Sequence, residues 1–313
     1  MDITPSNLES IYYSFNTAFQ QAIEQAPVWH PQVAWQAPSF GRTGAYSWLG
    51  QMPSLREWIG DRQVKSVATK DHQLTNRDFE ATVAVKRNDI LDDQIGVWTP
   101  MMSGLGEAAK KWPDVQLAAF LEAGESTAHY DGVNFFSATH PVDLFDSSKG
   151  TYSNYYTGGS AKPLSAANYQ DVRAAMMQVS GEGGRKLGIV PDLIIVPPTL
   201  ERTALTLVNA DMIPADSATG ASSNTAPVSN VLKGSAKVLV VPELTSDTSW
   251  YLACVSKPIK PLLFQLREAP VFVQYVSPSD PSVYARREFE YGVMARGAFS
   301  GTLPFLISKC KAT

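Results

Sequence analysis

Two histidines and two aspartates fall within fifteen residues around the stretch YDGVNFFSATHP: His129 and Asp131 at its front, His140 and Asp143 at its back. Imidazoles and carboxylates in such density could ligate zinc or manganese, or could serve a hydrolase whose histidine base is oriented by a carboxylate. The local spacing points elsewhere. Asp131-Gly132 is a tight-turn pair, because both residue types tolerate positive φ. His140 stands before a proline, which holds it extended and off any helix face. A zinc site takes three or four ligands at recognised separations, and the remaining histidines, His30 and His72, lie in a segment without regular period. The stretch therefore reads as a turn packed by Tyr130, Phe135 and Phe136. A metal-dependent hydrolase built on His129, Asp131 and His140 in the His129–Asp143 loop is the alternative enzyme reading.

Other candidate chemistry is weaker. GEGGRK at Gly181–Lys186 has the glycines and lysine of a phosphate loop. Such a loop must follow a strand and open a helix, and here the order is reversed, so a glycine-rich helix end is expected. No G-x-S-x-G nucleophile elbow exists. Asp89, Asp92 and Asp93 stand just before a helix, where carboxylates meet the N-terminal dipole, and capping is the expectation over cation binding. Cys254 and Cys310 match no metal or redox spacing, and Cys254 lies in the apolar run WYLACV as a buried inert thiol.

The formal net charge is −4, from 26 Lys and Arg against 30 Asp and Glu, which argues against a protein that grips nucleic acid through a basic face. The opening MDITPSNLES has neither the basic nor the apolar region of a signal peptide, and no window reaches the roughly 18 apolar residues of a membrane span. A reducing, cytoplasm-like compartment is expected.

Regular elements should frame this loop. SNLE at Ser6–Glu9 reads as a capping box, and Leu8, Ile11, Tyr12, Phe15, Phe19, Ala22 and Ile23 give one apolar stripe that ends at Pro27. That helix must dock on its own core or on a neighbouring copy. From Pro31 to Lys70 no period is sustained, and a stretch that long without regular structure is unusual in a compact domain. It reads as an extended arm ordered by binding, with Trp48, Leu49, Trp58 and Ile59 as anchors. A local hairpin tucked against its own domain is the other reading. Phe79–Val85 alternates as a half-buried strand, and Met101–Ala123 predicts a long helix, kinked or broken at Pro113. Asp146–Pro163 reads as a loop, Ser165 as a helix cap, Leu187–Pro197 as a buried strand and Thr199–Asn209 as a helix. Met212–Val228 reads as a surface loop. Lys237–Val241 is expected to pair with Ser249–Val255, and Val271–Tyr275 with Glu288–Ala295.

Four segments, SNLESIYYSFNTAFQQAIEQAP, YSWLGQMPSLREWIGDR, NRDFEATVAVKRNDILDDQIG and YDGVNFFSATHP, together resemble the major head subunit of Mu-like bacteriophages and prophages over most of the 313 residues. The resemblance implies an α+β chain with the Hong Kong 97-like tailed-phage capsid fold. Residues 1–38 would be an N-terminal arm and 39–76 an extended loop reaching over a neighbouring subunit. Residues 77–128 and 259–313 would form a peripheral domain with a long spine helix, and 129–258 an axial α/β domain. Arg56, Glu57, Asp61 and Arg62 would pair charges across subunits, beside Trp48, Leu49, Trp58 and Ile59.

The implied function is structural. Subunits would self-assemble into pentamers and hexamers of an icosahedral shell that encloses double-stranded DNA without reading its sequence, with no enzyme activity, cofactor, metal or membrane contact. Portal, scaffold and decoration proteins are the implied partners. The implied location is the virion capsid, assembled in the host cytoplasm and held without covalent cross-links. A decoration or tail protein of the same particle is the structural alternative.

Overall fold

The computed structural model describes residues 3–49, 69–92, 95–144, 146–181, 184–214, 226–277 and 280–312. The chain begins with helix α1 (Pro5–Gln25), whose apolar stripe buries Leu8, Ile11, Phe15 and Phe19. Its cap is not at Ser6. Thr4 is extended, its Oγ1 accepts from Asn7 N at 3.3 Å, and Pro5 fills the first turn, so the helix starts earlier than the Ser6–Glu9 pattern suggests. A short helix α2 (His30–Val33) leads into β1 (Ala34–Pro38), and then come β2 (Thr43–Leu49), β3 (Thr69–Thr75) and β4 (Arg77–Lys86). Next are α3 (Arg87–Leu91) and the long helix α4 (Ile95–Ala123).

The helix α4 begins six residues before the expected Met101 and runs unbroken through Pro100 and Pro113. Pro113 has no N–H to donate, and tertiary contacts compensate around it. Asp114, buried beside it, accepts from Trp29 N at 3.1 Å, from His30 N at 2.9 Å and from His30 Nδ1 at 2.7 Å, which ties the start of α2 to the middle of α4. Of the acidic cluster before α4, Asp89 and Asp92 belong to a separate short helix. Asp89 lies in the first turn of α3 and Asp92 ends that helix, while Asp93 lies outside the described residues.

After α4 the chain passes through β5 (His140–Pro141), β6 (Thr151–Tyr152) and β7 (Tyr155–Tyr156) to α5 (Ala166–Gln178), capped by Ser165 as expected, and then to β8 (Leu193–Val196) and α6 (Glu201–Asn209). It continues as β9 (Met212–Pro214), β10 (Pro227–Ser229), β11 (Lys237–Val240) and β12 (Trp250–Ala253). The long strand β13 (Leu262–Tyr275), α7 (Pro281–Arg286), β14 (Glu288–Gly301) and β15 (Ile307–Cys310) close it.

Two sheets organise these elements. The first has the order β1-β13-β14-β4, with β1 parallel to β13 and the other pairs antiparallel. Helices α1 and α4 cover one face of it, where Phe15, Phe19, Met102, Phe272 and Tyr291 form one buried cluster. The strand β4 alternates as its sequence predicts, because only one of its faces is covered. Gly106 permits the close approach of the two helices: a Cβ there would run into the Phe19 carbonyl.

The second sheet has the order β11-β8-β12-β15-β7. Its three central strands are buried throughout, which is why LIIV, WYLA and ISKC carry no polar alternation. The expected pairing of Lys237–Val241 with Ser249–Val255 is replaced, because β8 lies between them, parallel to β11 and antiparallel to β12. The expected strand Leu187–Pro197 shrinks to four residues, Leu193–Val196. The two ends of the expected loop Met212–Val228 pair as β9 and β10, and residues 215–225 lie outside the described part. The expected glycine-rich end of α5 is instead Val179, whose N–H bonds back to Met176 O. Both cysteines are buried and unpaired. Among the described residues no helix is long and apolar enough to cross a membrane.

A second cluster joins the two sheets through the second half of α4. Leu117, Leu121, Phe135, Phe136, Tyr251, Phe264 and Phe299 pack there in one core. Each fully buried side chain of this size contributes about 2 kcal/mol of transfer free energy, so this seam fixes the long helix against both sheets.

Candidate functional site

The segment with the strongest binding composition resolves into a hairpin. Strands β2 and β3 pair antiparallel from Thr43↔Thr75 at the root to Leu49↔Thr69, with Trp48 opposite Lys70. Residues 50–68 lie outside the described part, and with them Arg56, Glu57, Trp58, Ile59, Asp61 and Arg62; Trp48 and Leu49 are placed on β2 by their backbone. The hairpin reading is thus correct for the root, which rests on the chain's own first sheet.

That root is a polar network in which every amide group has a task. Gln265 of β13 has 0% exposure, in the middle of the apolar run PLLFQL. Its Oε1 accepts from Tyr46 OH at 2.7 Å, and its Nε2 donates to Asn76 Oδ1 at 2.6 Å and to Leu74 O at 3.3 Å. Asn76 Nδ2 in turn donates to Ser39 Oγ at 2.9 Å and to Gly41 O at 2.8 Å. On the other side of the hairpin, His72 Nε2 lies 2.9 Å from Ser300 Oγ on β14. Buried polar groups are costly unless paired, so the hairpin's seat is specific in direction rather than merely sticky.

The histidine-rich loop lies beside this root. Gly132 has φ +89°, and Gly132 N donates to His129 O at 3.1 Å, which closes the expected Asp-Gly turn. Phe135 and Phe136 are buried, and His140 is extended in β5, both as the spacing predicts. The ring of His140 has 0% exposure; its Nδ1 is 2.5 Å from Asp131 Oδ2 and its Nε2 is 3.0 Å from Asn154 Oδ1. Asn154 also accepts from Ser137 N at 2.9 Å and donates to Phe135 O at 2.9 Å and Pro304 O at 3.0 Å. The His140–Asp131 pair therefore faces an amide where a hydrolase would need a nucleophile, and the cavity beside it, lined by Tyr130, Asp131 and Tyr152, measures about 30 Å³, room for one water. Among the described residues no group of three or more His, Cys, Asp or Glu is placed to hold a metal.

His129 turns away from that pair. Its Nε2–H donates to Thr302 O at 2.7 Å, and its ring lies 4.8 Å from that of His72. Burial, reinforced by the neighbouring His72, pulls the His129 pKa down to about 4, and burial lowers that of His72 as well.

The end of α4 is clamped by a lysine that the apolar strand ISKC conceals. Lys309, 2% exposed, donates from Nζ to Glu122 O at 2.8 Å and Leu121 O at 3.2 Å, two of the last carbonyls of the helix, and meets Glu125 Oε2 at 3.3 Å. Burial weakens the proton hold of Lys309, while Glu125 opposes that shift. Burial likewise opposes ionisation of Glu125, yet Lys311 at 2.6 Å, Tyr155 OH at 2.5 Å and Lys309 overcome it and bring its pKa to about 2.

Sequence reasoning did not reach Gln265, Asn76, Asn154 or Lys309. Only Gln265 stands alone as a polar side chain in an apolar stretch, and that isolation is the signal that marks it for a buried network; Asn76, Asn154 and Lys309 have polar neighbours and carry no such mark.

Compared with known proteins, the chain matches the family described as Mu-like prophage major head subunit gpT over residues 8–163, 156–244 and 242–313. It is 26% identical over 309 residues to the major capsid protein of Escherichia phage Mu, covering 77% of this chain and 99% of that one. It is also 26% identical over 295 residues to the Mu-like prophage FluMu major head subunit of Haemophilus influenzae, covering 94% of this chain and 70% of that one. Among solved structures, the subunit in the procapsid of bacteriophage JBD30 aligns with a TM-score of 0.62 at 28% identity, over 99% of this chain and 76% of that one.

Proposed function

We propose a working arrangement for this chain from one premise: it belongs to the Mu-like prophage major head subunit family and is the major capsid protein of a Mu-like phage. Its α+β fold is that of tailed-phage capsid subunits of the Hong Kong-phage type, and its family and fold are those of a structural protein that self-associates into an icosahedral shell. The family and fold favour that reading over the decoration-protein and hydrolase alternatives.

Within the shell, residues 39–76 act as the arm that reaches a neighbouring subunit. One observation supports this: among the described residues the backbone ladder of β2 and β3 includes no third strand, while their root is held in a set direction by side-chain bonds of Gln265, Tyr46 and Asn76. A two-stranded ribbon is marginal by itself, so a rooted ribbon of this kind gains stability by lying on another surface. Trp48, Leu49, Trp58 and Ile59 supply the apolar anchors at that surface, and Arg56, Glu57, Asp61 and Arg62 pair with charges there. Residues 1–38 form the N-terminal arm, 77–128 with 259–313 the peripheral domain, and 129–258 the axial domain. The bonding of β15 to β12 carries the chain's end back across that division.

Pentamers and hexamers built in this way close around double-stranded DNA in the host cytoplasm, with portal, scaffold and decoration proteins as partners. Many identical weak contacts make closure steeply cooperative in subunit concentration. Trp58→Ala tests the arm. The purified subunit should melt like wild type, while the yield of closed shells, counted by negative-stain microscopy after gradient separation, should fall at least tenfold. Wild-type yields from that variant would remove residues 39–76 from the interface.

A further inference from the structure

Two imidazoles from distant parts of the chain meet where the hairpin is seated. His72 sits on β3 and His129 in the turn after α4, with ring centroids 4.8 Å apart and planes 57° from parallel. Both lean on the same stretch of chain, His72 Nε2 on Ser300 Oγ at 2.9 Å and His129 Nε2 on Thr302 O at 2.7 Å. A hydroxyl and a carbonyl are uncharged partners, and among the described residues no carboxylate is hydrogen-bonded to either ring.

The surroundings offer little to stabilise added charge. From β2, Tyr46 stands across the hairpin from His72. From the turn, the Tyr130 ring lies 4.6 Å and the Phe135 ring 5.1 Å from that of His129. Asp131 is a carboxylate whose charge favours a proton on His129, and it is occupied by His140 at 2.5 Å. From β14 and its end come Ser300 and Thr302. A proton on either ring therefore enters a confined space, and protons on both place like charges ring to ring.

We propose that His72 and His129 form a proton-operated latch for the β2–β3 hairpin: neutral, the two rings seat it on β14, and protonated together they unseat it. The direction follows from linkage. Seated, both groups hold protons less well than an exposed histidine; unseated, they return toward the ordinary value near 6.5. The seated state thus binds fewer protons, and its population falls as pH drops from about 6.5 toward 4, levelling off below that. With His129 at about 4 when seated and no higher than about 6.5 when released, this group alone biases the open hairpin by at most about 30-fold at pH 5. Only the consequence for assembly rests on the arm reading above; the latch belongs to the single subunit and is tested there.

The measurement is amide hydrogen exchange of the purified full-length subunit at pH 7.5 and pH 5.0, normalised to intrinsic rates and read on peptides covering β2 and β3. Wild type should lose at least tenfold of its protection in these strands at pH 5.0, while peptides of α4 keep theirs. His72→Gln retains a donor for Ser300 but cannot gain charge, and should reduce that loss to less than threefold. Ring-carbon exchange of His129 should report a higher pKa in the same variant. If His72→Gln loosens the hairpin already at pH 7.5, His72→Phe, a ring without a proton, replaces it and should be equally insensitive to pH. Equal protection of wild type at both pH values, or an undiminished loss in the uncharged variants, overturns the latch. A hairpin that opens in acid in a protein whose Trp58→Ala variant still assembles keeps the latch and removes the arm.

Discussion

The junction at the end of α4 and the root of the β2–β3 hairpin are both polar islands in apolar surroundings, yet they close in different ways. At the junction, Asn154 and Lys309 are almost fully buried and bond to backbone from three separate parts of the chain: the turn after α4, the helix end, and the segment before β15. At the hairpin root Gln265, Asn76, Ser39 and Ser300 are buried, whereas Tyr46 and His72, the groups supplied by the hairpin strands, remain half-buried on a two-stranded element. A network closed on backbone from every side has no partial state and opens only with the whole fold. One whose outer half sits on a ribbon can open locally. The body of the subunit is built to keep its shape, and the hairpin is built to be aimed.

The sharpest way to break this contrast is Asn154→Ala. The substitution strips partners from Phe135 O, Pro304 O, Ser137 N and His140 Nε2 in one step. Each buried orphan costs about 1–3 kcal/mol, and partial relaxation leaves an expected loss of about 3–4 kcal/mol in the urea unfolding of the subunit. The hairpin should lose protection only in proportion to the whole. A loss below 1 kcal/mol would show that the junction relaxes as easily as the root.

How much of this was legible in the sequence depends on what each residue reports. The stripe of α1, the alternation of β4 and the Ser165 cap were readable because one face of each element is apolar and one is wet. The Asp131-Gly132 turn and the extended His140 followed from local backbone rules. The order of the second sheet was not readable: β8 and β12 are apolar on both faces, so nothing in their composition says which lies in the middle. The networks were hidden for a related reason. Gln265 and Lys309 look like interruptions of apolar strands until the groups they bond, more than a hundred residues away in the chain, are known.

Acid should separate the two regions in a set order. The folded pKa of His129, about 4, lies below its ordinary value of 6.5, so stability is lost as pH falls from about 6.5 toward 4. Glu125, at about 2 against 4.5, contributes stability that is complete above 4.5 and is lost as pH falls toward 2. Unfolding free energy against pH should therefore decline in two limbs, each no larger than the Asn154→Ala effect. His129→Gln should flatten the upper limb and Glu125→Gln the lower one. A Glu125→Gln variant whose lower limb matched wild type would show that the lysine clamp does not depend on that carboxylate.

The smallest effect distinguishes the root most finely. Tyr46→Phe removes one hydroxyl and leaves Gln265 Oε1 without its 2.7 Å partner. Because Tyr46 is half-buried, water can reach the orphaned oxygen, and the global cost should stay within about 0.5 kcal/mol. The ring stays to pack against Trp35, 6.3 Å away centre to centre, so the hairpin keeps its place while its direction loosens. Hydrogen exchange in β2 and β3 should quicken several-fold with the urea midpoint nearly unmoved. If instead the midpoint fell as far as in Asn154→Ala, the root would be part of the same cooperative unit as the junction. The hairpin could then be re-aimed only at the expense of the fold that carries it.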